Sequence, residues 1–258
     1  MTLTKDLIRR LTRTTSGIRA DVKQALRPLE PHLPKLAPVP SWRRSLKVLN
    51  HYGFRPATVF DIGVGFGTPA LYHAYPNAVY YLVDPTPESL SHMRQIAQRL
   101  DARILHLALG DCDGDAMIEI RSDIQGSTLF EECGPRDVLR KENVPVRRFD
   151  TVIGSFERPA LCKIDVQGAE LLVLKGMTER IKDIDVFILE TSIIATVQHG
   201  PEIHEVVRFM KESGFVIFDV AGMKRRPVDG VTAQLDLVFV GEGSPFRSDR
   251  RWASAASS

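Results

Sequence analysis

A glycine-rich run preceded by an acid is the first part of the chain whose residue types suggest chemistry. The run D-I-G-V-G-F-G begins at Asp61 and follows an apolar segment. Glycine serves where the backbone turns sharply or a ligand must approach without meeting a Cβ, so Gly63, Gly65 and Gly67 are candidate ligand contacts. A dinucleotide site needs G-x-G-x-x-G, whereas Thr68 occupies the sixth place here. Asp61 therefore suits a ligand with an ammonium group better than one with a pyrophosphate.

Two further candidate positions lie at the ends of the next apolar segments. Asp84 follows Gly63 by 21 residues, the spacing at which a carboxylate accepts hydrogen bonds from the hydroxyls of an adenosine ribose. Taken alone, Asp84 is equally explained as a solvated strand-end acid or a helix cap. Leu109 and Asp111 end the third segment, where an adenine ring would be enclosed, although Asp111 also fits an ordinary turn. Together the three positions predict an adenosine-containing cofactor.

These candidates require a scaffold that brings strand ends together. Strand-like segments alternate with helical patterns, which indicates a parallel sheet in a doubly wound α/β layout, where ligands bind at the carboxyl ends of the strands. Residues 221–233 are polar and carry Gly and Pro, so the last strand is expected to return antiparallel. The predicted strands are 57–62, 78–83, 102–107, 116–120, 145–149, 160–164, 185–189, 215–220 and 235–240. The predicted helices are 45–52, 69–74, 88–100, 169–180 and 201–213, and residues 122–128 are predicted to form a loop.

Composition excludes several classes of protein. With 43% hydrophobic residues and a net charge of +2, the chain has the apolar content of a folded protein rather than a disordered one. No apolar run is long enough for a transmembrane helix, and the start of the chain lacks the apolar core of a secretory signal. Three cysteines without C-x-x-C spacing form neither a disulfide framework nor a zinc site, which predicts a reducing, cytoplasmic location.

The charge is distributed unevenly along the chain. Residues 1–50 contain 11 Lys or Arg against 3 acids, and the remainder is mildly acidic. Aromatic interleaving is absent, so no nucleic-acid partner is predicted. Residues 5–27 fit an amphipathic helix that packs on the main domain or on a second subunit of a homodimer, lies on an anionic membrane, or forms part of a transit peptide. The expected divisions are a basic segment with a Pro-rich connector (1–40), a main domain (41–243) and a flexible tail (244–258).

The segment 161–176, L-C-K-I-D-V-Q-G-A-E-L-L-V-L-K-G, resembles the signature of the FkbM family of S-adenosylmethionine-dependent methyltransferases. The G-S-T-L stretch at 126–129, Glu190 and the last strand also resemble that family, and the likeness covers residues 55–240. Val64 and Phe66 depart from the family, whose members often carry Asn in the first turn. The resemblance implies a seven-stranded Rossmann-like sheet, S-adenosylmethionine as cofactor, and methyl transfer to a hydroxyl of a sugar, glycan or secondary metabolite.

Methyl transfer to a hydroxyl, which the resemblance implies, also requires a group that deprotonates the acceptor, because an alcohol needs a base or a metal to lose its proton. The candidates are Asp165, Glu190 and His199. Asp165 with Glu190 would also suit a divalent cation such as Mg²⁺, but two ligands are few for a dedicated site, so a metal-free mechanism is favoured. Each has a structural alternative: Asp165 as a helix cap, Glu190 as a positioning group and His199 as a surface residue. Glu170 lies in a first helical turn, where its charge favours the helix dipole, and Lys163 is expected to pair with a carboxylate.

Two other functions remain open from sequence. An NAD-dependent oxidoreductase is disfavoured because Thr68 replaces the third glycine and no Y-x-x-x-K pair follows. A non-catalytic protein of the same fold is disfavoured because Asp61, Asp84, Asp165 and Glu170 are all retained.

Overall fold

Ten strands and six α-helices occur among the residues that the computed structural model describes, which are 39–122, 126–130, 133 and 138–251. The strands are β1 (Thr58–Ile62), β2 (Val79–Val83), β3 (Ala102–Leu105), β4 (Ala108–Leu109), β5 (Gly114–Arg121), β6 (Val138–Arg147), β7 (Ala160–Ile164), β8 (Val186–Ser192), β9 (Phe215–Arg225) and β10 (Thr232–Gly241). The helices are α1 (Trp42–His51), α2 (Pro69–Ala74), α3 (Pro87–Ala97), α4 (Phe149–Val152), α5 (Glu170–Lys175) and α6 (Ile203–Glu212).

Seven of the strands form the central sheet, in the order β3-β2-β1-β7-β8-β10-β9. All neighbours are parallel except β10, which is antiparallel to both β8 and β9. The predicted doubly wound sheet with an antiparallel last strand is therefore confirmed. The chain leaves β1 toward β3 on one side and returns to β7 on the other, so the strand order reverses between β1 and β7. Ile62 pairs with Ile164 there, which places the two loops that follow side by side.

The central strands form because they are short, mainly apolar runs that fill both layers of the core, and Asp61 in β1 and Lys163 in β7 are their charged exceptions. Every residue of β1 and of β7 is buried, as expected for parallel strands covered on both faces. One face packs around Phe60, Phe149 and Phe187. The opposite face packs around Val59 and Leu161 and receives the apolar side of α1.

A second, three-stranded sheet in the order β4-β6-β5 corrects part of the predicted layout. The strand predicted at 116–120 belongs to this small sheet, as β5, and not to the central one. The strand predicted at 145–149 was placed too late, because β6 covers Val138–Arg147 and Phe149 begins α4. Long-range antiparallel pairing of β5 with β6 extends both strands into polar residues, which a local pattern does not reveal.

Other predicted boundaries differ from the observed ones where turns or tertiary contacts determine the end of an element. The helix predicted at 169–180 is only Glu170–Lys175, because Gly176 ends it. About half of the predicted polar return at 221–233 lies inside the longer strands β9 and β10. The predicted tail begins with a 3₁₀ turn, Pro245–Arg247, whose Phe246 ring lies 5.8–5.9 Å from the rings of three neighbouring aromatic residues, namely Tyr52, Phe54 and Phe218.

Several predictions fall outside the described residues. The helix at 5–27, the connector up to residue 38, the middle of the loop at 122–128 and the tail from residue 252 are among them. Within the part of the chain that is described, no helix combines the length and the apolar character needed to cross a bilayer.

Candidate active site

The turn after β1 forms as predicted, and its first glycine is required by a backbone contact. Gly63 has φ +75°, and a Cβ added to it would lie 1.8 Å from the carbonyl oxygen of Asp165. Gly67 has φ +105°, and its amide donates to the carbonyl of Val64. Only glycine combines a left-handed conformation with so close an approach of two backbones. The turn therefore leaves open space above the carboxyl ends of β1 and β7.

Asp84, at the end of β2, holds this turn in place. One carboxylate oxygen accepts a hydrogen bond from the Gly65 amide at 2.9 Å, and the other accepts from the amide and hydroxyl of Thr86 at 2.9 and 2.7 Å. The side chain is buried but still lines the cavity described below. Asp84 is thus not a solvated strand-end acid, and its contact with a ribose stays a prediction.

Asp61 and Lys163 form a buried ion pair beneath the turn. Their charged atoms are 3.2 Å apart, and Lys163 also donates to the Gly63 carbonyl. The Asp61 carboxylate accepts further hydrogen bonds from Tyr72 at 2.5 Å and Thr68 at 3.2 Å. Burial alone would lower the pKa of Lys163, but Asp61 and Asp165 raise it above its ordinary value. Lys163 thus stays charged, which confirms its expected pairing with a carboxylate.

The predicted ammonium contact of Asp61 is not what the geometry presents. Asp61 is fully buried and is not among the described residues that line the cavity. Its carboxylate is already engaged by three side chains of the protein. Asp61 therefore supports the glycine turn from below.

The loop between β7 and α5 presents Asp165 to the cavity. Asp165 is partly exposed and accepts a hydrogen bond from the side-chain amide of Gln167 at 2.7 Å. Glu170, not Asp165, binds the free backbone amides of this loop, those of Val166 and Gly168, at 3.1–3.2 Å. Burial raises the pKa of Glu170 to about 7, although these amide donors oppose the shift. Glu170 is therefore a buried residue that stabilises the loop, and Asp165 faces the cavity.

Glu190, in β8, lies behind this loop and is almost entirely buried. One of its oxygens pairs with the Lys224 ammonium, and the other accepts from the amides of Gln167 at 2.6 Å and Gln234 at 2.9 Å. Burial raises the pKa of Glu190 and Asp165 adds to the shift, whereas Lys224 opposes it. The structure thus brings Asp165 and Glu190 together through one amide nitrogen, that of Gln167.

These contacts bear on the divalent cation, which the sequence left as the less favoured alternative. Both oxygens of Glu190 already accept hydrogen bonds from nitrogen donors, and the amide of Gln167 lies between the two acids. Among the described residues, no group of three or more His, Cys, Asp or Glu side chains is arranged to hold a metal ion. The donor set therefore fits hydrogen-bonded carboxylates better than a pair of Mg²⁺ ligands.

Three residues that sequence reasoning missed complete the far wall. Lys224 comes from β9, Asp236 from β10 and Trp42 from the start of α1, and all three line the cavity. The Trp42 indole donates to Asp236 at 2.7 Å. Helix α1 is held on β9 by a hydrogen bond from Ser45 to Asp219 at 2.6 Å, so Trp42 is fixed relative to the sheet. No local spacing connects these residues, because the sheet order and the docking of α1 on β9 bring them together.

The cavity has a volume of about 370 Å³ and opens at the carboxyl edge of the sheet. Its cofactor end includes Gly63, Gly65, Gly67, Asp84 and Leu109, and its far end includes Trp42, Ser127, Thr128, Asp165, Gln167, Lys224 and Asp236. Two predicted site residues, Asp111 and His199, are exposed and do not belong to the described lining. The site thus combines a glycine turn, a strand-end acid and a carboxylate-rich wall in a single concave space.

Fold and site together define the architecture of a class I methyltransferase. The profile of the family described as Methyltransferase FkbM domain matches residues 61–217, more than half of the chain. The chain therefore belongs to the FkbM family of methyltransferases, which confirms the resemblance found in the sequence. That assignment also disfavours the NAD-dependent oxidoreductase. No curated protein matches the chain.

Similarity to solved structures is distant. The 1,6-didemethyltoxoflavin-N1-methyltransferase of Burkholderia thailandensis is 15% identical, with 89% of each chain covered and a TM-score of 0.43. The magnesium protoporphyrin IX methyltransferase of Synechocystis PCC 6803 is 13% identical, with 77% of this chain and 79% of that chain covered and a TM-score of 0.44. The precorrin-6y C5,15-methyltransferase of Geobacter metallireducens GS-15 is 13% identical, with 77% and 87% covered and a TM-score of 0.41.

Proposed function

We propose that this chain is an S-adenosylmethionine-dependent O-methyltransferase acting on a hydroxyl group of a sugar, a glycan or a secondary metabolite. The observation that carries the proposal is the position of Asp165. Its carboxylate lies at the end of β7, inside the same cavity as the glycine turn and Asp84. A base is therefore available beside the place where the cofactor would be held.

The residues at the cofactor end fit S-adenosylmethionine. Gly63 and Gly65 line this end of the cavity without side chains, and we expect Asp84 to accept hydrogen bonds from the ribose hydroxyls and Leu109 to pack against the adenine. When bound, this cofactor supplies an activated methyl group on a sulfonium sulfur. The task of the protein is then to orient the acceptor oxygen and to remove its proton.

Asp165 is the best-placed group to take that proton. One oxygen, Oδ1, is engaged by Gln167, whereas Oδ2 lies 3.8 Å from the Lys163 ammonium, too far for a hydrogen bond. Oδ2 can therefore accept the acceptor's proton. The rival candidates are placed less well, because Glu190 is enclosed by its own donors and His199 is exposed outside the described lining.

The far wall supports a neutral, hydroxylated acceptor. Asp165 and Asp236 both line it, and ionised carboxylates accept hydrogen bonds from hydroxyl groups. The same two acids would repel a phosphate or carboxylate, and the Lys224 charge is already offset by Glu190. Trp42 adds an aromatic surface against which a ring-shaped acceptor can pack.

Replacing Asp165 by Asn tests the proposal. The variant keeps the shape of the side chain but cannot take up a proton, so S-adenosylhomocysteine release should fall at least about 100-fold, the lower range for a general base. Affinity for S-adenosylmethionine should change little. Asp101→Asn, an exposed residue at the start of β3, is the matched control and should behave as the wild type.

The assay uses panels of monosaccharides, oligosaccharides and phenolic metabolites as acceptors. An Asp165→Asn protein that keeps near-normal turnover would overturn the assignment of the base. Turnover only with amine acceptors would overturn O-methylation itself.

A further inference from the structure

Gln167 stands out because the protein holds it in a conformation that side chains rarely adopt. Its φ is +51°, and Gly168 follows with φ +102°. A non-glycine residue with positive φ costs free energy and persists only where its surroundings determine it. Such residues cluster at functional sites, so the contacts that impose this conformation are informative.

Two separate parts of the fold impose it. The Thr128 hydroxyl donates to the Gln167 carbonyl at 2.7 Å, and the Gly168 amide donates to both oxygens of Glu170 at 3.1 Å. Thr128 itself pairs with Glu119 of β5 through an isolated bridge. The loop is thus fixed on one side by the small sheet and on the other by α5.

The side chain that results joins the two acids of the site. Nε2 of Gln167 lies 2.7 Å from Asp165 Oδ1 and 2.6 Å from Glu190 Oε2. A primary amide nitrogen carries two hydrogens and cannot accept, so each carboxylate must present a lone pair to it. The opposite orientation would set the amide oxygen against two acids.

We infer that Gln167 is a positioning residue, which anchors Asp165 to the buried Glu190–Lys224 pair so that Oδ2 of Asp165 stays turned to the acceptor. Glu190 receives three nitrogen donors, from Lys224, Gln167 and Gln234, and acts as the fixed end of this link. The catalytic importance of the link rests on the proposed role of Asp165 as base. The link itself is measurable without any acceptor.

Two substitutions break the link in opposite ways. Gln167→Met keeps the length of the side chain but removes both hydrogens, so the Asp165 carboxylate loses a donor and should become more basic. Gln167→Glu places a third carboxyl between two others, so one of the three must hold a proton to keep the contact.

The chain offers a matched control in Gln234. Its amide donates to the same Glu190 oxygen, at 2.9 Å, and not to Asp165. Gln234→Met should therefore disturb Glu190 without altering Asp165. The charged groups around Asp165 that stay constant in all variants are Asp61, Lys163, Glu170, Glu190, Lys224 and Asp236.

The experiment is a ¹³C NMR titration of labelled aspartate carboxyl carbons, with the Asp165 signal assigned from Asp165→Asn. The apparent midpoint of Asp165 should rise by about one pH unit in Gln167→Glu and by about half a unit in Gln167→Met, and it should stay within about 0.2 units of wild type in Gln234→Met. S-adenosylmethionine affinity, measured in parallel, should change less than about threefold in all three variants, because the adenosine contacts lie elsewhere.

An unchanged Asp165 midpoint in either Gln167 variant overturns the inference. An equal shift in Gln167→Met and Gln234→Met also overturns it, since that result would mean a general disturbance through Glu190. The titration does not depend on which group is the base. The link can therefore hold even if Asp165→Asn retains turnover, and the two proposals fail separately.

Discussion

Substituting Gly63 by Ala is expected to damage both stability and cofactor binding, for a reason that can be worked out from two distances. The added Cβ would lie 1.8 Å from the Asp165 carbonyl oxygen and 2.8 Å from its carbonyl carbon. Both are backbone atoms of a central strand end and cannot rotate away. The φ of +75° adds the cost of a left-handed alanine, about 1–2 kcal/mol, and overpacking of this kind costs about 1–3 kcal/mol.

Together these terms predict a loss of about 2–5 kcal/mol in the free energy of unfolding. For a chain of this size, that corresponds to a fall in Tm of about 4–20 °C. Because the clash pushes the loop of Asp165 away from the turn, the affinity for S-adenosylmethionine should fall as well. The assays are thermal or urea unfolding and calorimetric titration of the folded protein.

Gly214→Ala is the control that separates strain from collision. Gly214 also has a positive φ, +90°, but nothing lies within 4 Å of an added Cβ, so only the strain of about 1–2 kcal/mol should appear. Cofactor affinity should be unchanged, because Gly214 lies after α6 and outside the described lining of the cavity. Equal losses of stability in the two variants would refute the prediction that the close approach of the Gly63 and Asp165 backbones adds to the cost of Gly63→Ala.

Two further substitutions test the acids that brace the site. Asp84→Ala removes the charged acceptor of the Gly65 and Thr86 donors, so S-adenosylmethionine affinity should fall by about 1.5–3 kcal/mol, and calorimetry with unchanged affinity would rule out the ribose assignment. Burial raises the pKa of Glu170 from 4.5 to about 7, so between these pH values the folded state holds a proton that the unfolded state has lost. The free energy of unfolding should therefore fall by about 3 kcal/mol through this group as the pH rises from 4.5 to 7. Glu170→Gln should therefore make Tm less dependent on pH between pH 5 and 8 than in the wild type. Parallel curves of Tm against pH for the two proteins would contradict this.

Local sequence was sufficient for the parts of the site that follow strand ends. Gly63 and Asp84 come directly after short, mainly apolar runs that are typical of buried strands, so their meeting at one sheet edge was predictable. Asp165 was predictable in the same way after β7. In each case the prediction needs only a short, mainly apolar segment and the residue that follows it.

The remaining site residues depend on contacts between distant segments. Lys224 and Asp236 face the cavity because β10 lies between β8 and β9, which sets Asp236 beside Glu190 and opposite Gly222. A Cβ on Gly222 would lie 1.9 Å from Oδ2 of Asp236, so glycine at this position leaves room for the Asp236 carboxylate. Trp42 belongs to a helix whose docking on β9 no local pattern indicates.

The surroundings of Asp61 also depend on contacts between distant segments. An acid before the first glycine does suit a ligand with an ammonium group, but Lys163 of the neighbouring strand supplies that ammonium from within the protein. The pairing of Asp61 with Lys163 follows from the β1–β7 register, which is a property of the assembled sheet.

The central claim is that the cavity at the carboxyl edge of the sheet holds S-adenosylmethionine. Isothermal titration of the full-length protein with S-adenosylmethionine and, separately, with NAD tests it most directly. We expect saturable binding of one S-adenosylmethionine per chain, weakened in Asp84→Ala, and no binding of NAD in the same concentration range. Binding of NAD without binding of S-adenosylmethionine would contradict the account.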